Sequence, residues 1–469
     1  MGSDKELPVA LLQSLEGVPG FHRDTFEAIH RSGEQVTSVR INPAKAADAA
    51  QGIESFKTTL SFSAPIPWTQ QGYYLMERPF FTFDPLLHAG AYYVQEASSM
   101  FVEQAMRQTL DLSVKLRVLD GCAAPGGKST HLQSLISAES LLVSNEVIKT
   151  RASILEENLV KWGGVNVMVT NNDPADFSKL ENFFDVMVID APCSGSGLFR
   201  REPEAIGEWS PHSVQLCSQR QQRILADYYP SLAEGGTLIY STCSYSKEED
   251  EQILDWLLQN FELESLPLQL QQEWGIVEVQ SPEHKGFGYR FFPDRVKGEG
   301  FFLAAFRKKE GGEFHYRPSK KPKVQKASKA ETAAVMPWLK PDAGVTIWKQ
   351  QEQLLAFPSL LEQELLVVAD HLYIRHAGVT IGKLAGQQLV PDHALALSTL
   401  LQPSTVAVSL KKEDALQYLR KEQVILPDAP TGWALVKYEN LPLGWVKVLP
   451  NRVNNYYPSN WRILKSGSN

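Results

Sequence analysis

Cysteine is scarce in this chain. Four occur in 469 residues, Cys122, Cys193, Cys217 and Cys243, and no two form a Cys-x-x-Cys pair. That spacing gives no thiolate zinc site, so no metal is expected. It gives no disulfide framework either, and reduced thiols in a cytoplasm are the expectation. Long apolar runs are absent too. No stretch approaches the ~20 apolar residues that span a bilayer, so no membrane is expected. The opening MGSDKELPVA has neither a basic start nor an apolar core, which argues against a signal peptide. Glu6 stands where a myristoylation site needs Ser or Thr. A dinucleotide fingerprint, Gly-x-Gly-x-x-Gly, is missing, and there is no internal repeat.

What remains is the composition of a soluble globular protein, 43% hydrophobic and 21% charged. The length exceeds one ordinary core and implies two to four domains. The net charge of −8 argues weakly against nucleic acid, but its distribution does not. Residues 307–331 carry nine Lys/Arg against three Glu, and residues 431–465 carry five against one. An acidic body with basic segments can bind a polyanion locally, although such segments also serve as solvated charge.

Residues 1–110 begin helically and pass through Pro- and aromatic-rich stretches. Residues 111–310 alternate short apolar runs with helical segments. Strands are expected at 117–120, 141–146, 165–170, 185–190 and 236–242, with helices at 127–137, 149–162 and 211–234. That alternation is the mark of a parallel sheet of βαβ units. Further strands are expected at FELESL and GEGFFLAAFRK. Residues 311–335 lose periodicity, are Lys-rich and read as a basic linker. Residues 336–469 form one further module or two small ones, with a β-like, turn-rich tail from Gly432.

The segment VLDGCAAPGGKST follows the first strand of the alternating region and opens a helix, the place where open α/β sheets bind nucleotide-like ligands. Pro125, Gly126 and Gly127 permit a tight turn with no Cβ in the way. Three readings compete. A phosphate-binding loop requires glycine where Cys122 stands, so Lys128-Ser129 is a near miss. The dinucleotide reading fails for want of its glycines. A loop for S-adenosylmethionine needs a tight glycine turn without a phosphate cradle, and that fits. Asp120 ends the strand, where a carboxylate could meet an amino group. Glu146 follows the second strand and could accept two ribose hydroxyls. Asp173 follows the third, within reach of an adenine amino group. Surface acids in ordinary βα turns would look the same.

Two cysteines end strands: Cys193 in DAPCSGSG (190–197) and Cys243 in STCSYS (241–246). A lone cysteine there is usually a small buried hydrophobe. In a parallel sheet, however, both ends open on one crevice, so the two thiols would face each other. The chemistry that needs such a pair is known in outline. Carbon five of cytosine is a poor nucleophile, and a thiolate adding to the neighbouring ring carbon turns it into an enamine. A carboxyl group near the ring nitrogen, placed here as Asp190, stabilises that adduct. A second thiol can help remove the proton from carbon five. Cys122 and Cys217 read as structural, Cys217 facing the core from a helix.

The set AAPGGKS, DAPCSGSG, YSTCSYS and EGFFLAAF, in this order over residues 35–310, resembles the NOL1/NOP2/Sun family of RNA 5-methylcytosine methyltransferases. The resemblance implies a Rossmann-like class I methyltransferase sheet using S-adenosyl-L-methionine. It makes Cys243 the attacking thiol and assigns product release to Cys193. It places Cys122, Ala123, Ala124, Pro125, Gly126, Gly127 and Lys128 in the cofactor loop, with Glu146, Asp173 and Asp190 as further cofactor or base contacts. Lys128 would point towards the cytosine or its phosphate. VRINP (39–43) and YVQEASSM (93–100) look like the family's N-terminal elements, an RRM-like cap and the lead-in to the first strand. Asp294 in RFFPDR stands where many members have histidine, and reads as a surface variation. The tail pattern V-x-Y-x-x-x-P-L-G-W is similar to a PUA domain, a small β-barrel of RNA-modifying enzymes. Trp433, Tyr438 and Trp445 could equally form that barrel's core. With this module the resemblance extends to 16S rRNA of the small ribosomal subunit as substrate, acted on by a cytoplasmic monomer. A transfer RNA substrate, or a non-catalytic RNA-binding assembly factor on the same fold, remains open at this point.

Overall fold

The computed structural model describes residues 6–465 apart from 50–51, 55, 57–59 and 317–321. The cap is built on four strands: β1 (Ser38–Ile41), β2 (Phe62–Pro65), β3 (Gly72–Leu75) and β4 (Tyr92–Val94). They pair antiparallel in the order β2-β3-β1-β4, with helical turns after β1 and before β4. This is the βαββαβ arrangement of ferredoxin-like and RRM-like sheets. Its ties to the next layer are polar and buried. Arg40 of VRINP is 1% exposed; its guanidinium donates to Thr130 Oγ1 (2.6 Å) and Gln95 Oε1 (2.9 Å) and lies 4.5 Å over the Trp162 ring. Asn42 donates to the carbonyls of Gly90 and Trp162.

The central sheet has ten strands. Five are parallel: β5 (Arg117–Asp120), β6 (Leu141–Asn145), β7 (Val167–Thr170), β8 (Phe184–Asp190) and β9 (Leu232–Thr242). They lie in the order β9-β8-β5-β6-β7, so the strand order reverses beside β5. Four more follow antiparallel beyond β9: β10 (Leu263–Ser265), β11 (Val277–Gln280), β12 (Phe287–Phe291) and β13 (Phe301–Lys308). The parallel strands read as apolar runs because both faces are covered. Leu119, Met187, Ile189 and Leu238 face one core layer, and Val118, Val186, Val188 and Ile239 the other. Each such side chain contributes about 1.5–3 kcal/mol on burial. The expected helices are present at Gly127–Leu135, Lys149–Trp162 and Pro211–Tyr228.

The rest of the chain is less separate than the sequence suggests. Of the stretch 311–335, residues 317–321 lie outside the described residues. Its second half is not a linker. There β14 (Gln325–Lys326) pairs with β15 (Val345–Gln350), and Lys329–Val335 is a helix whose Ser328 and Glu331 form a reciprocal capping box. That Ser-x-x-Glu signature outweighs the loss of hydrophobic periodicity. β14 and β15 continue into a five-stranded sheet with β16 (Gln353–Pro358), β18 (Val379–Ala385) and β19 (Gln388–Pro391), while β17 (Ile374–Ala377) leaves it and pairs antiparallel with β7 as an edge of the central sheet. Glu362–His371 packs its Leu365 and Val368 into the core layer of Leu119 and Met187. The last sheet holds β20 (Ala407–Ser409), β21 (Gly432–Tyr438), β22 (Leu441–Leu449) and β23 (Arg452–Asn455). Within it Trp445 is 1% exposed, whereas Trp433 and Tyr438 are only half-buried. Its Val446 and Tyr457 share a core cluster with Leu86 and Tyr92 of the cap.

Candidate active site

The reversal of strand order at β5 opens a crevice at the carboxyl ends of the parallel strands, where ligands of such sheets bind. The glycine loop fills one side. Gly126 has φ +111°, a conformation costly for any residue with a Cβ. Gly121 has no room for one, since it would collide with Ile189 and Tyr228. The loop's carbonyls are engaged from outside: Arg151 donates to Ala124 O (2.8 Å) and Asn158 to Pro125 O (2.8 Å). Ala123 and Ala124 are buried, and Cys122 is half-buried against the core. Burial and the charges of Asp120, Asp190 and Glu146 push the Cys122 thiol far up, which keeps it protonated and unreactive.

Asp120 is fully buried. One carboxylate oxygen accepts from Ser129 Oγ (2.6 Å), and Oδ1 has no partner. Burial raises its pKa to about 7, opposed by the Ser129 hydrogen bond and Lys128, and assisted by Asp190 and Glu146. Three acids therefore converge on one loop. Glu146 is 4% exposed; it accepts from Ile148 N (2.8 Å) and lies 3.5 Å from Arg151. Asp173 is exposed and caps the 3-10 segment Pro174–Leu180 through Ala175 N (3.1 Å).

The cysteine motifs occupy the other side. β8 and β9 run parallel with Asp190 opposite Ser241, whose hydroxyl donates to Asp190 Oδ1 (2.7 Å). Just beyond these ends, Cys193 Sγ and Cys243 Sγ lie 2.9 Å apart, both free thiols. Lys128 Nζ pairs with Asp190 Oδ2 at 2.7 Å and lies 5.2 Å over the Phe301 ring of EGFFLAAF. The hydrogen bond to Cys243, burial and the nearby Glu249 charge all push the Cys193 thiol far above its ordinary range. Cys243, Cys193, Asp190 and Lys128 are thus brought together, with the glycine loop adjoining. Cys217 sits half-buried on the helix Pro211–Tyr228, its thiol raised mainly by burial.

Sequence reasoning missed the group that holds the two loops together. Glu249 is fully buried and accepts from Ser194 N (2.8 Å), Ser194 Oγ (2.5 Å), Ser244 Oγ (2.6 Å) and Gln221 Nε2 (3.2 Å). One carboxylate thereby spans the residues that follow both cysteines. Gly197 N also donates to Cys243 O (2.8 Å), and a Cβ on Gly197 would lie 2.7 Å from that oxygen. Behind them the buried Arg290 pairs with Asp250 (3.1 Å) and Glu251 (2.5 Å) and donates to Tyr245 O (2.9 Å). In the run KEEDE nothing but position distinguishes Glu249 and Asp250 from solvated charge. Asp294 is no mere surface variation either: it accepts from Thr25 Oγ1 at 2.5 Å and ties down the helix Arg23–Arg31.

Among the described residues no helix is long and apolar enough to cross a membrane. Nor does any cluster of three His, Cys, Asp or Glu with metal-binding geometry occur among them.

Three family models match the chain in succession. Residues 7–97 match the N-terminal domain of 16S rRNA methyltransferase RsmF, residues 107–307 match 16S rRNA methyltransferase RsmB/F, and residues 405–463 match the methyltransferase RsmF PUA domain. Ribosomal RNA small subunit methyltransferase F of Escherichia coli strain K12 is 29% identical over 443 residues, covering 90% of this chain and 89% of its own. A methyltransferase homologue protein from Pyrococcus horikoshii superposes with TM-score 0.51 at 28% identity, over 64% of this chain and 100% of that one. NSun6 from the same organism, solved with SFG, gives TM-score 0.53 at 19% identity, over 65% and 98%, and shares the fold. With cap, catalytic sheet and terminal PUA domain each matched in order, and both cysteine motifs at one rim, the chain belongs to the RsmB/F family of 16S rRNA methyltransferases.

Proposed function

We propose that this chain transfers a methyl group from S-adenosylmethionine to carbon five of a cytosine in 16S rRNA, through a covalent adduct with Cys243. The observation that carries this reading is the pair of thiols 2.9 Å apart beside the Lys128–Asp190 ion pair. The loop Cys122–Lys128 fits the cofactor: a left-handed Gly126, a buried Asp120 oxygen without a partner, and the acids Asp120, Glu146 and Asp190 suit a ligand carrying a sulfonium, an ammonium group and ribose hydroxyls. Asp173, in the turn beyond the end of β7, would meet the adenine amino group in this reading. When bound, the cofactor supplies a methyl group on a cationic sulfur.

Cys243 is the attacking thiol in this reading, and Cys193, whose pKa is raised by its hydrogen bond to Cys243, by burial and by the Glu249 charge, is its protonated partner. The Cys243 sulfur bonds to ring carbon six, and the electrons of the five–six double bond move to carbon five. The Lys128–Asp190 pair, held also by Ser241, faces the ring nitrogen; a proton donated from that pair to the nitrogen neutralises the electron-rich adduct and returns to the pair when the adduct collapses. Carbon five takes the methyl group as the methyl–sulfur bond breaks. Once Cys243 is bonded to carbon, its hydrogen bond to Cys193 is gone, and with it the largest cause of the raised Cys193 pKa. Cys193 can then lose its proton to solvent and, as the thiolate, take the proton from carbon five. The double bond re-forms and Cys243 leaves as a thiolate. Acid–base help of this kind is worth roughly 10²–10⁴-fold. The target base must leave its stack to reach the crevice.

The three regions divide the work in this reading: 1–110 caps the crevice, 111–310 transfers the methyl group, and 336–469 adds RNA contacts through its PUA domain. Four free thiols support a cytoplasmic setting, and one chain supplies every element of the site, so a monomer suffices. The test is covalent trapping. Cys243→Ala should abolish transfer from radiolabelled cofactor to 16S rRNA. Cys193→Ala should accumulate a slow-migrating protein–RNA species on denaturing gels. Turnover by the first variant, or no trapped species with the second, rejects the assignment.

A further inference from the structure

Beside the cofactor loop, and outside the catalytic crevice, a second cleft of about 350 Å³ separates the cap from the helix Lys149–Trp162. The glycine loop reaches it through Pro125, and the cysteine side reaches it through Arg201, four residues beyond DAPCSGSG. Its walls combine two side-chain types. Phe81 and Tyr93 are half-buried rings; Tyr93 packs on Gly127, and among the described residues its hydroxyl has no hydrogen-bond partner. Arg78 and Arg201 are exposed, and among the described residues neither has a carboxylate within ion-pair distance. Arg78 lies 5.5 Å over the Phe81 ring. Lys161 adds a third cation, paired with Glu157, and Asn158 supplies an amide. Near Arg78 and Phe81 in sequence, Phe80 is 73% exposed and Met76 74%.

Aromatic faces beside exposed guanidinium groups are what a single nucleic-acid strand asks of a protein: stacking for its bases, positive charge for its phosphates. In a chain of net charge −8, two exposed arginines at one cleft, neither with a carboxylate within ion-pair distance among the described residues, suit an anion. We propose that this cleft binds a nucleotide of the RNA strand flanking the target cytosine, its base against Tyr93 and Phe81 and its phosphates on Arg78 and Arg201. The cleft adjoins both sides of the active site, so a strand whose cytosine has turned into the crevice passes directly over it. The inference rests on the RNA-methyltransferase reading, and it makes the cap a strand-holding surface rather than only a cover.

The experiment is binding, independent of turnover. The probe is a fluorescein-labelled 12-nucleotide single-stranded RNA of mixed sequence, titrated with full-length protein at several salt concentrations. Arg78→Ala with Arg201→Ala should weaken binding and lower the slope of log affinity against log salt by about 1.4, the value for two phosphates on a single strand at ~0.7 each. Tyr93→Ala should weaken binding about 5- to 150-fold, the range for one stacked base. Thermal melting and binding of S-adenosylhomocysteine should stay as in wild type for the arginine pair, which is exposed. Unchanged affinity and salt slope in the double arginine variant overturn the proposal. Wild-type protein that binds the RNA through these residues yet never methylates would overturn the catalytic reading and leave the cleft standing.

Discussion

Asp120→Asn separates what a residue does for the ligand from what it costs the fold. The carboxyl is fully buried, and its pKa stands at about 7 against an ordinary 3.8. The folded protein therefore holds this proton up to about pH 7, whereas the unfolded chain releases it near pH 4. Between those values stability falls as pH rises, and above 7 this group changes nothing further. About three pK units at 1.36 kcal/mol each give a cost of ~4 kcal/mol at pH 8. Asparagine does not ionise, so the variant escapes that cost. It retains an oxygen to accept from Ser129, but its amide nitrogen replaces an unpartnered oxygen and costs about 1–3 kcal/mol.

The variant should thus be more stable than wild type by ~1–3 kcal/mol at pH 8 and less stable by up to ~2 kcal/mol at pH 4.5. Thermal melts of both proteins across that range give the crossing directly. The same variant should bind S-adenosylhomocysteine more weakly, because the acceptor without a protein partner is the one proposed to meet the cofactor. A stability difference that does not move with pH would refute the account of a buried, charge-penalised carboxylate. Undiminished ligand binding would refute its role at the site.

Two further substitutions probe the frame behind the thiols. Glu249→Gln leaves one acceptor where two oxygens received four donors, so the loops carrying Cys193 and Cys243 lose their shared anchor. A displacement of about 1 Å costs on the order of 10²-fold; single-turnover methyl transfer should fall by that much, and a wild-type rate would exclude the clamp. Loss of the negative charge should also shift alkylation of Cys193 to lower pH in a Cys217→Ser background, since that charge raises its pKa. Arg290→Met strands the buried carboxylates of Asp250 and Glu251. It should destabilise by about 3–5 kcal/mol in urea melts, and a change under 1 kcal/mol would mean the pair is replaceable at no cost.

Much of the central sheet was legible because its signals are local. Arg117–Asp120 and Lys149–Trp162 fall where the apolar runs and helical spacing place them. Helix ends were read long, since Gly127–Leu135 stops two residues before the periodicity does. The long-range facts were not legible. Nothing in Ile374–Ala377 says that it pairs with β7 rather than with its neighbours in sequence. Burial of Glu249 inside KEEDE depends on Ser194, 55 residues away. Ser328 and Glu331 were legible in principle, but a count of lysines outweighed a capping box. The cysteine pair was legible only because parallel strands share an open end, so topology supplied the contact that spacing could not.

That shared end explains why the rim holds so many buried acids. Backbone pairing brings Asp190 opposite Ser241 but leaves the next few residues of each strand free to diverge, and the thiols lie in those residues. Apolar packing would fill the gap but could not set the position of two sulfurs, because it has no direction. Hydrogen bonds to one carboxylate do have direction, and Glu249 takes donors from both loops. Burial raises the pKa of Glu249, and far more that of Asp250, so each is a net expense to stability in isolation. A fold selected for stability alone would replace them with hydrophobic residues. Their presence at the rim where two cysteines meet is what a site that must hold reacting atoms within a fraction of an ångström requires.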